Sequence, residues 1–129
     1  MTVGDWDDCL RACAAAGFDG VSLWSLHVLM VEQAGRSRDA IRAQLAQLGL
    51  SVSCIEAVTG WANAPSVEAA VADATFTVEM AESFGADNVI AVLLDDRLHD
   101  GAQAAANLGA VADLAAEAGI WVCVEYLPW

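Results

Sequence analysis

The chain has 129 residues, 57% of them hydrophobic, and carries 18 acidic against 5 basic side chains, a formal net charge of −13. That much apolar material can fill a core, yet no apolar run approaches the roughly 18 residues needed to cross a bilayer, and the acidic start MTVGDWDD lacks both parts of a signal peptide. A soluble, cytoplasmic protein with no membrane partner is expected, and so few lysines and arginines leave no basic stripe for phosphates, so nucleic acid is not an expected partner either. The carboxylates are scattered over helix faces and loops rather than gathered in a tail, which is the pattern of solubility.

A first helix is expected from Thr2 as its cap, with Asp5 three residues on and Trp6, Leu10, Cys13 and Ala14 on one face, ending at Gly17. VSLW, residues 21 to 24, reads as a strand, and SLHVLMVEQAGR as a loop leading to a second helix capped near Ser37 with Ile41, Leu45 and Leu48 at helical spacing. SVSCIEAV is the next strand, followed by the turn-rich loop TGWANAP that holds Trp61. A third helix starts near Pro65 and Ser66 and aligns Val67, Val71, Ala74, Val78 and Ala81. After the strand NVIAVLL, the loop DDRLHDG introduces a fourth helix with Leu108, Val111 and Leu114, and the last strand is WVCVEYL. No linker or change of composition divides the chain, so residues 1–129 are expected to form one domain.

One unit recurs through this order: an alanine-rich helix ends on glycine and runs directly into a short apolar strand. The glycines are Gly17, Gly49, Gly85 and Gly119, spaced 32, 36 and 34 residues apart, the length of a βα unit. The strands are near-continuous apolar runs, as burial on both faces of a parallel sheet requires. The class is therefore α/β, either an open doubly wound sheet or a (β/α)₈ barrel. Neither GxGxxG nor GxxxxGK[ST] is present, which removes the signatures of the nucleotide-binding doubly wound sheet. Cys9, Cys13, Cys54 and Cys123 form no CxxC pair and sit in apolar patterns, so reduced core thiols are expected rather than disulfides or a zinc site.

Polar residues collect at the strand ends: Glu56 in CIEAVTGW, Asp95 and Asp96 after VLL, and Glu125 in VEYLPW, with His27 and His99 in the loops that follow strands. Such groups at one rim of an apolar sheet cost desolvation energy unless they bind something, a cation or a polyol. Trp24, Trp61 and Trp129 also lie near strand ends, where they can wall a sugar face or pack in the interior. Cys54 and Cys123 share strand parity with Glu56 and Glu125, which directs them, with Val52, to the inside of a barrel.

The segments GFDGVSLW, LGLSVSCIEAVTGW, FGADNVIAVLL and AGIWVCVEYLPW resemble successive strands of the sugar phosphate isomerase and epimerase superfamily, the xylose isomerase-like TIM barrels. The resemblance implies a partial (β/α)₈ TIM barrel of about four βα units, roughly strands two to five. The strand that ends in Glu125 and a Pro-containing stretch matches the family's metal-ligand position. By that match Glu125 is a ligand of a divalent metal (Mn²⁺, Mg²⁺, Co²⁺ or Zn²⁺) in a completed barrel and a catalytic acid/base. Glu56, His27, Trp24 and Trp61 are then candidate contacts to a sugar or sugar phosphate. The implied reaction is metal-assisted proton transfer next to a carbonyl.

The departures are as specific. A full barrel takes about 250 residues, the family's other metal ligands lie on strands absent here, and Ser22 stands where many relatives carry Glu. The ending at Pro128 and Trp129, directly after the first ligand, is that expected of a truncated barrel. The open sheet edges must be covered, by self-association or by a complementary half-barrel. A non-catalytic truncated barrel or interaction subunit pairing through those edges is the alternative to an isomerase or epimerase. The endonuclease branch of the superfamily is disfavoured by the scarcity of basic residues.

Overall fold

Gly17, Gly49, Gly85 and Gly119 all adopt positive φ, between 67° and 81°, and each closes a helix into the turn that feeds a strand. The computed structural model describes residues 3–95, 99–125 and 127. In chain order the elements are α1 (Val3–Ala15), β1 (Gly20–Trp24), α2 (Ser25–Gln33), α3 (Arg38–Gln47), β2 (Ser51–Val58), α4 (Val67–Phe84), β3 (Asn88–Val92), α5 (Gly101–Glu117) and β4 (Trp121–Glu125). The strands form one sheet in the order β1-β2-β3-β4, and every pairing is parallel. An order that never reverses is that of a singly wound barrel wall, whereas a doubly wound sheet turns back at a switch point. The four βα units are a partial TIM barrel.

The helix starts follow the sequence closely. Ser37 accepts a hydrogen bond from Ala40 N at 3.2 Å, Ser66 from Ala69 N at 3.3 Å, and Asp100 from Ala102 N and Gln103 N at 2.9 and 3.1 Å, each satisfying amides that the first turn leaves free. The expected cap at Thr2 lies outside the described residues, as do Asp96 and Trp129. Trp6 and Leu10 of α1, Ile41 and Leu45 of α3, and Ala74, Val78 and Ala81 of α4 are buried in the core, as their spacing predicts.

Three expectations are corrected. SLHVLMVEQ is not a loop but α2. It has no side-chain N-cap, and its apolar residues run consecutively instead of at helical intervals, so neither start signal nor period marks it; Ser25, Val28 and Val31 nonetheless pack inward. Val52 is not on the inner face with Cys54. Gly20 and Val21 pair with Ser51 and Val52, but Ser22 pairs with Cys54, and this bulge at Ser53 reverses the parity, so Val52 packs with the core on the helix side. The cysteines are free, but of the four only Cys13 packs against the core: Cys9 and Cys123 are exposed, and Cys13 and Cys54 half-buried.

The core lies between the helices and one face of the sheet. Leu23, Ile55, Val89 and Ala91 are buried in it, and Val122 and Val124 pack against it. The alternate positions Ser22, Trp24, Cys54, Glu56, Ile90, Cys123 and Glu125 are outside that cluster and share the opposite, open face. An ion-pair network ties α1 to α3: Arg36 grips both oxygens of Asp7, at 2.5 and 3.0 Å, and Gln44 donates to Asp7 at 2.8 Å.

Two measurements check these local claims. Gly85 caps α4 at φ 67° with open space around it, so Gly85→Ala loses about 1–2 kcal/mol to left-handed backbone strain; Gly109, inside α5 with equal space, gains about 1 kcal/mol as Gly109→Ala. Urea titrations should show these opposite signs. The Arg36 guanidinium, with help from the Gln44 amide, holds the Asp7 carboxyl down to about 2 from 3.8. A depressed folded pKa gives stability that is fully present above the unfolded value and lost as pH falls through the folded one. The stability gap between wild type and Asp7→Asn should therefore be widest near neutrality and close between about pH 5 and pH 2; a gap independent of pH contradicts the ion pair.

Candidate functional site

The carboxylates of the open face stand toward the carboxyl ends of the strands. The register places Trp24 beside Glu56, Glu56 beside Ile90, and Ile90 beside Cys123, while Glu125 pairs with Val92 one step higher. Two strand spacings and a two-residue rise put the Cα atoms of Glu56 and Glu125 roughly 12 Å apart. They share a face and a rim but are not adjacent. Among the described residues no group of three His, Cys, Asp or Glu is close enough to hold a metal ion.

Each candidate side chain has a distinct setting. Glu56 is half-buried, and the Ser22 hydroxyl donates to its Oε1. Where a glutamate at position 22 would set two carboxylates against each other, serine instead fixes one oxygen of Glu56 and leaves the other toward the open face. The bulge at Ser53 makes this pairing, because it restores Ser22 and Cys54 to one level. A second register shift skips Ala57, where the Glu56–Ala57 peptide is cis. Trp24 is 43% exposed, and His27, from the first turn of α2, meets it edge-on with ring centroids 4.5 Å apart at 72°. Glu125 ends β4 and is exposed. Trp61, by contrast, is 6% exposed, and its Nε1 donates to Val92 O at 3.2 Å, so its ring forms the floor of the rim within the core.

The loops that shape this rim are held by residues the sequence reading passed over. Asn107 of α5, 0% exposed, donates to Trp61 O and Ala64 O, both at 3.0 Å, and accepts from Gln103 Nε2 at 2.8 Å. Asp73 of α4 accepts from Gly60 N at 2.9 Å, and a Cβ on Gly60 would lie 2.7 Å from the Asp73 carboxyl carbon, which keeps that position glycine. Asn63 joins the two loops, donating to Asp95 at 2.5 Å and accepting from His99 N at 2.9 Å. A cavity of about 260 Å³ opens there, lined chiefly by Asn63, Pro65, His99, Asp100 and Gln103. The legible signal was Asn107: an amide four residues before Val111, on the buried stripe of a helix, must find partners.

A singly wound parallel sheet, helices on one face and functional groups at the carboxyl ends of its strands, defines a segment of a (β/α)₈ barrel. Residues 10–129 match the model of the xylose isomerase-like TIM barrels, and the chain belongs to that family. Solved structures share the fold. An AP endonuclease of family 2 from Brucella melitensis superposes with TM-score 0.70 at 19% identity, over 95% of this chain and 50% of that one. A xylose isomerase-like TIM barrel protein from Mycobacterium smegmatis, in complex with magnesium, gives 0.63 at 24% identity, over 96% and 47%. A D-allulose 3-epimerase from Methylomonas sp. gives 0.69 at 14% identity, over 96% and 46%. The chain thus spans about half the length of these proteins. No curated protein matches it by sequence.

Removing the Asn107 amide while keeping its bulk, as Asn107→Leu, takes the side-chain donor from Ala64 O and leaves Trp61 O with only its 3.4 Å bond from Ala64 N. That costs about 1–3 kcal/mol, read by chemical denaturation, and amide exchange across residues 60–65 should accelerate. Unchanged exchange there would contradict its role as the anchor of this loop.

Proposed function

We propose that this chain supplies half of the mouth of a cytoplasmic sugar (phosphate) isomerase- or epimerase-type barrel. The observation that carries the reading is the pair of strand-end carboxylates on one open face: Glu56, which accepts from the Ser22 hydroxyl, and the exposed Glu125. Proton transfer next to a carbonyl needs such an arrangement. Glu125, as carboxylate, takes the proton from the carbon beside the carbonyl; the C–H electron pair becomes a C=C bond and the carbonyl π pair moves onto its oxygen, giving an enediolate. Delivery of the proton to the former carbonyl carbon, with the hydroxyl proton passing from one oxygen to the other, isomerises the sugar, and protonation of the original carbon on its opposite face by a second acid, which the rest of the barrel must supply, epimerises it. Glu56 receives a substrate hydroxyl with the oxygen that Ser22 leaves free. Trp24 and His27 form an aromatic wall for the sugar, and Trp61 supports the rim from beneath.

The magnesium in the Mycobacterium smegmatis protein makes a divalent ion the natural electrophile for such a site. The residues of one copy do not fit it: such an ion takes at least three protein or water donors at about 2.0–2.6 Å, and the described residues bring no such trio together. Glu125 is accordingly a base or a single ligand here, and a metal centre belongs to a completed barrel. That misfit, with Trp121 left 75% exposed on the same face, favours as second reading a non-catalytic half-barrel that acts through its open edges.

The test is deuterium exchange into a ketohexose in D₂O, followed by NMR, with Mg²⁺ supplied and the remaining strands provided by fusion to the second half of a barrel of the family. The proposal predicts exchange beside the carbonyl above the buffer rate, reduced about 100-fold or more in Glu125→Gln and weakened chiefly through substrate affinity in Glu56→Gln. Exchange at the buffer rate, or exchange indifferent to Glu125→Gln, would overturn it in favour of the second reading.

A further inference from the structure

Trp24 is exposed on the open face, but Trp61 is buried in the core between the helices and the sheet, where its ring is turned from any ligand on that face. Its single polar side-chain atom nonetheless has a specific partner, Val92 O, to which Nε1 donates at 3.2 Å. Val92 is buried and ends β3. β2 stops at Val58, which pairs with Ala91, so Val92 lies beyond the last rung that β2 supplies. A buried carbonyl needs a donor, and the indole N–H stands in for the strand that has ended. Across the sheet, Val92 pairs with Glu125, the last residue of β4.

We propose that Trp61 is a positioning residue for Glu125: by holding the end of β3, the indole sets the level at which the Glu125 carboxylate stands on the rim. The inference rests on the functional reading above, in which Glu125 is the base. Adjacent strands lie about 4.8 Å apart, so the pairing of Val92 with Glu125 carries any shift of the β3 end directly to the carboxylate.

Trp61 is suited to this role because its own backbone is tied to both helices that flank β3. Gly60 N, just before it, donates to Asp73 of α4 at 2.9 Å, and Trp61 O accepts from Asn107 of α5 at 3.0 Å. The level of Glu125 is therefore referred to the helix layer and not to the rim loops, and none of these contacts uses the unpaired edge of β1 or β4. The ends of strands open most readily, and a misplacement of 1 Å can cost a reacting group about 100-fold in rate.

The first test needs no substrate. In hydrogen-exchange NMR of the chain as it stands, the Trp61 indole proton should be protected and that of the exposed Trp24 should not. Trp61→Phe keeps an aromatic ring and removes the donor, so it should speed exchange of the amides of residues 91–92 and 124–125 about tenfold relative to residues 21–23 of β1. Trp6→Phe, which removes a buried indole N–H that has no partner among the described residues, should not. In the fused barrel, Trp61→Phe should lower kcat for deuterium exchange about tenfold with KM unchanged, whereas a sugar contact would raise KM. Adding Asn107→Leu should lower kcat no further than the more damaging single substitution, since both act through one chain of contacts. An unprotected Trp61 indole in the wild type, unchanged exchange at 124–125 in Trp61→Phe, or a raised KM at unchanged kcat would overturn the proposal. A wild-type fusion without turnover would overturn the functional reading instead, and the amide exchange would still decide whether Trp61 positions Glu125.

Discussion

Parallel strands cannot be joined by hairpins; each must be reached by a crossover, and here every crossover is a helix on the same side of the sheet. That constraint orders everything else. It forces the helix, glycine turn and strand into a repeat of constant length, concentrates the core between helices and one sheet face, and leaves the other face without a layer of its own. It also sends all strands in one direction, so their carboxyl ends and the loops leaving them gather along a single rim.

What gathers there follows from local chemistry. The rim can carry Glu56 and Glu125 because the open face does not demand apolar residues at the strand ends, and Glu56 accepts a hydrogen bond from a hydroxyl of the neighbouring strand. The loops behind it are fastened from the helix side, by the Asn107 amide and the Asp73 carboxylate. Burial of an amide without partners would be costly, so the network around Asn107 sets the position of Trp61 and, through the indole N–H, the level of the β3 end. The rim is thus positioned by packing on the closed side and lies open on the other.

Much of the fold was legible because its punctuation is chemical: glycine at each helix end, Ser37, Ser66 and Asp100 at helix starts, unbroken apolar strands. The helix Ser25–Gln33 was not, since a run such as LHVLMV has no period and no capping side chain to announce it. The orientation of Val52 was not legible either, because one extra residue in a strand inverts every side chain before it and leaves no mark in composition. Of the candidate site, Trp24 and Glu56 lie toward the carboxyl ends of β1 and β2, as their places in the strands predict, whereas His27, expected in a loop, sits in the first turn of α2. The contact of Ser22 with Glu56 depends on that same bulge, and the Asn63 bridge between loops depends on how far two irregular segments reach, so both had to come from the fold.

The central claim is that Glu125 stands on the face of β4 turned away from the helices. The most direct measurement is the thermal stability, in dilute solution, of two neighbouring substitutions, Cys123→Asp and Val124→Asp. With Val124 half-buried against the core and Cys123 exposed, the account predicts that Val124→Asp lowers the melting temperature strongly through a half-buried unpaired charge, while Cys123→Asp melts close to wild type. The reverse pattern would put Cys123 and Glu125 against the helices and contradict the site.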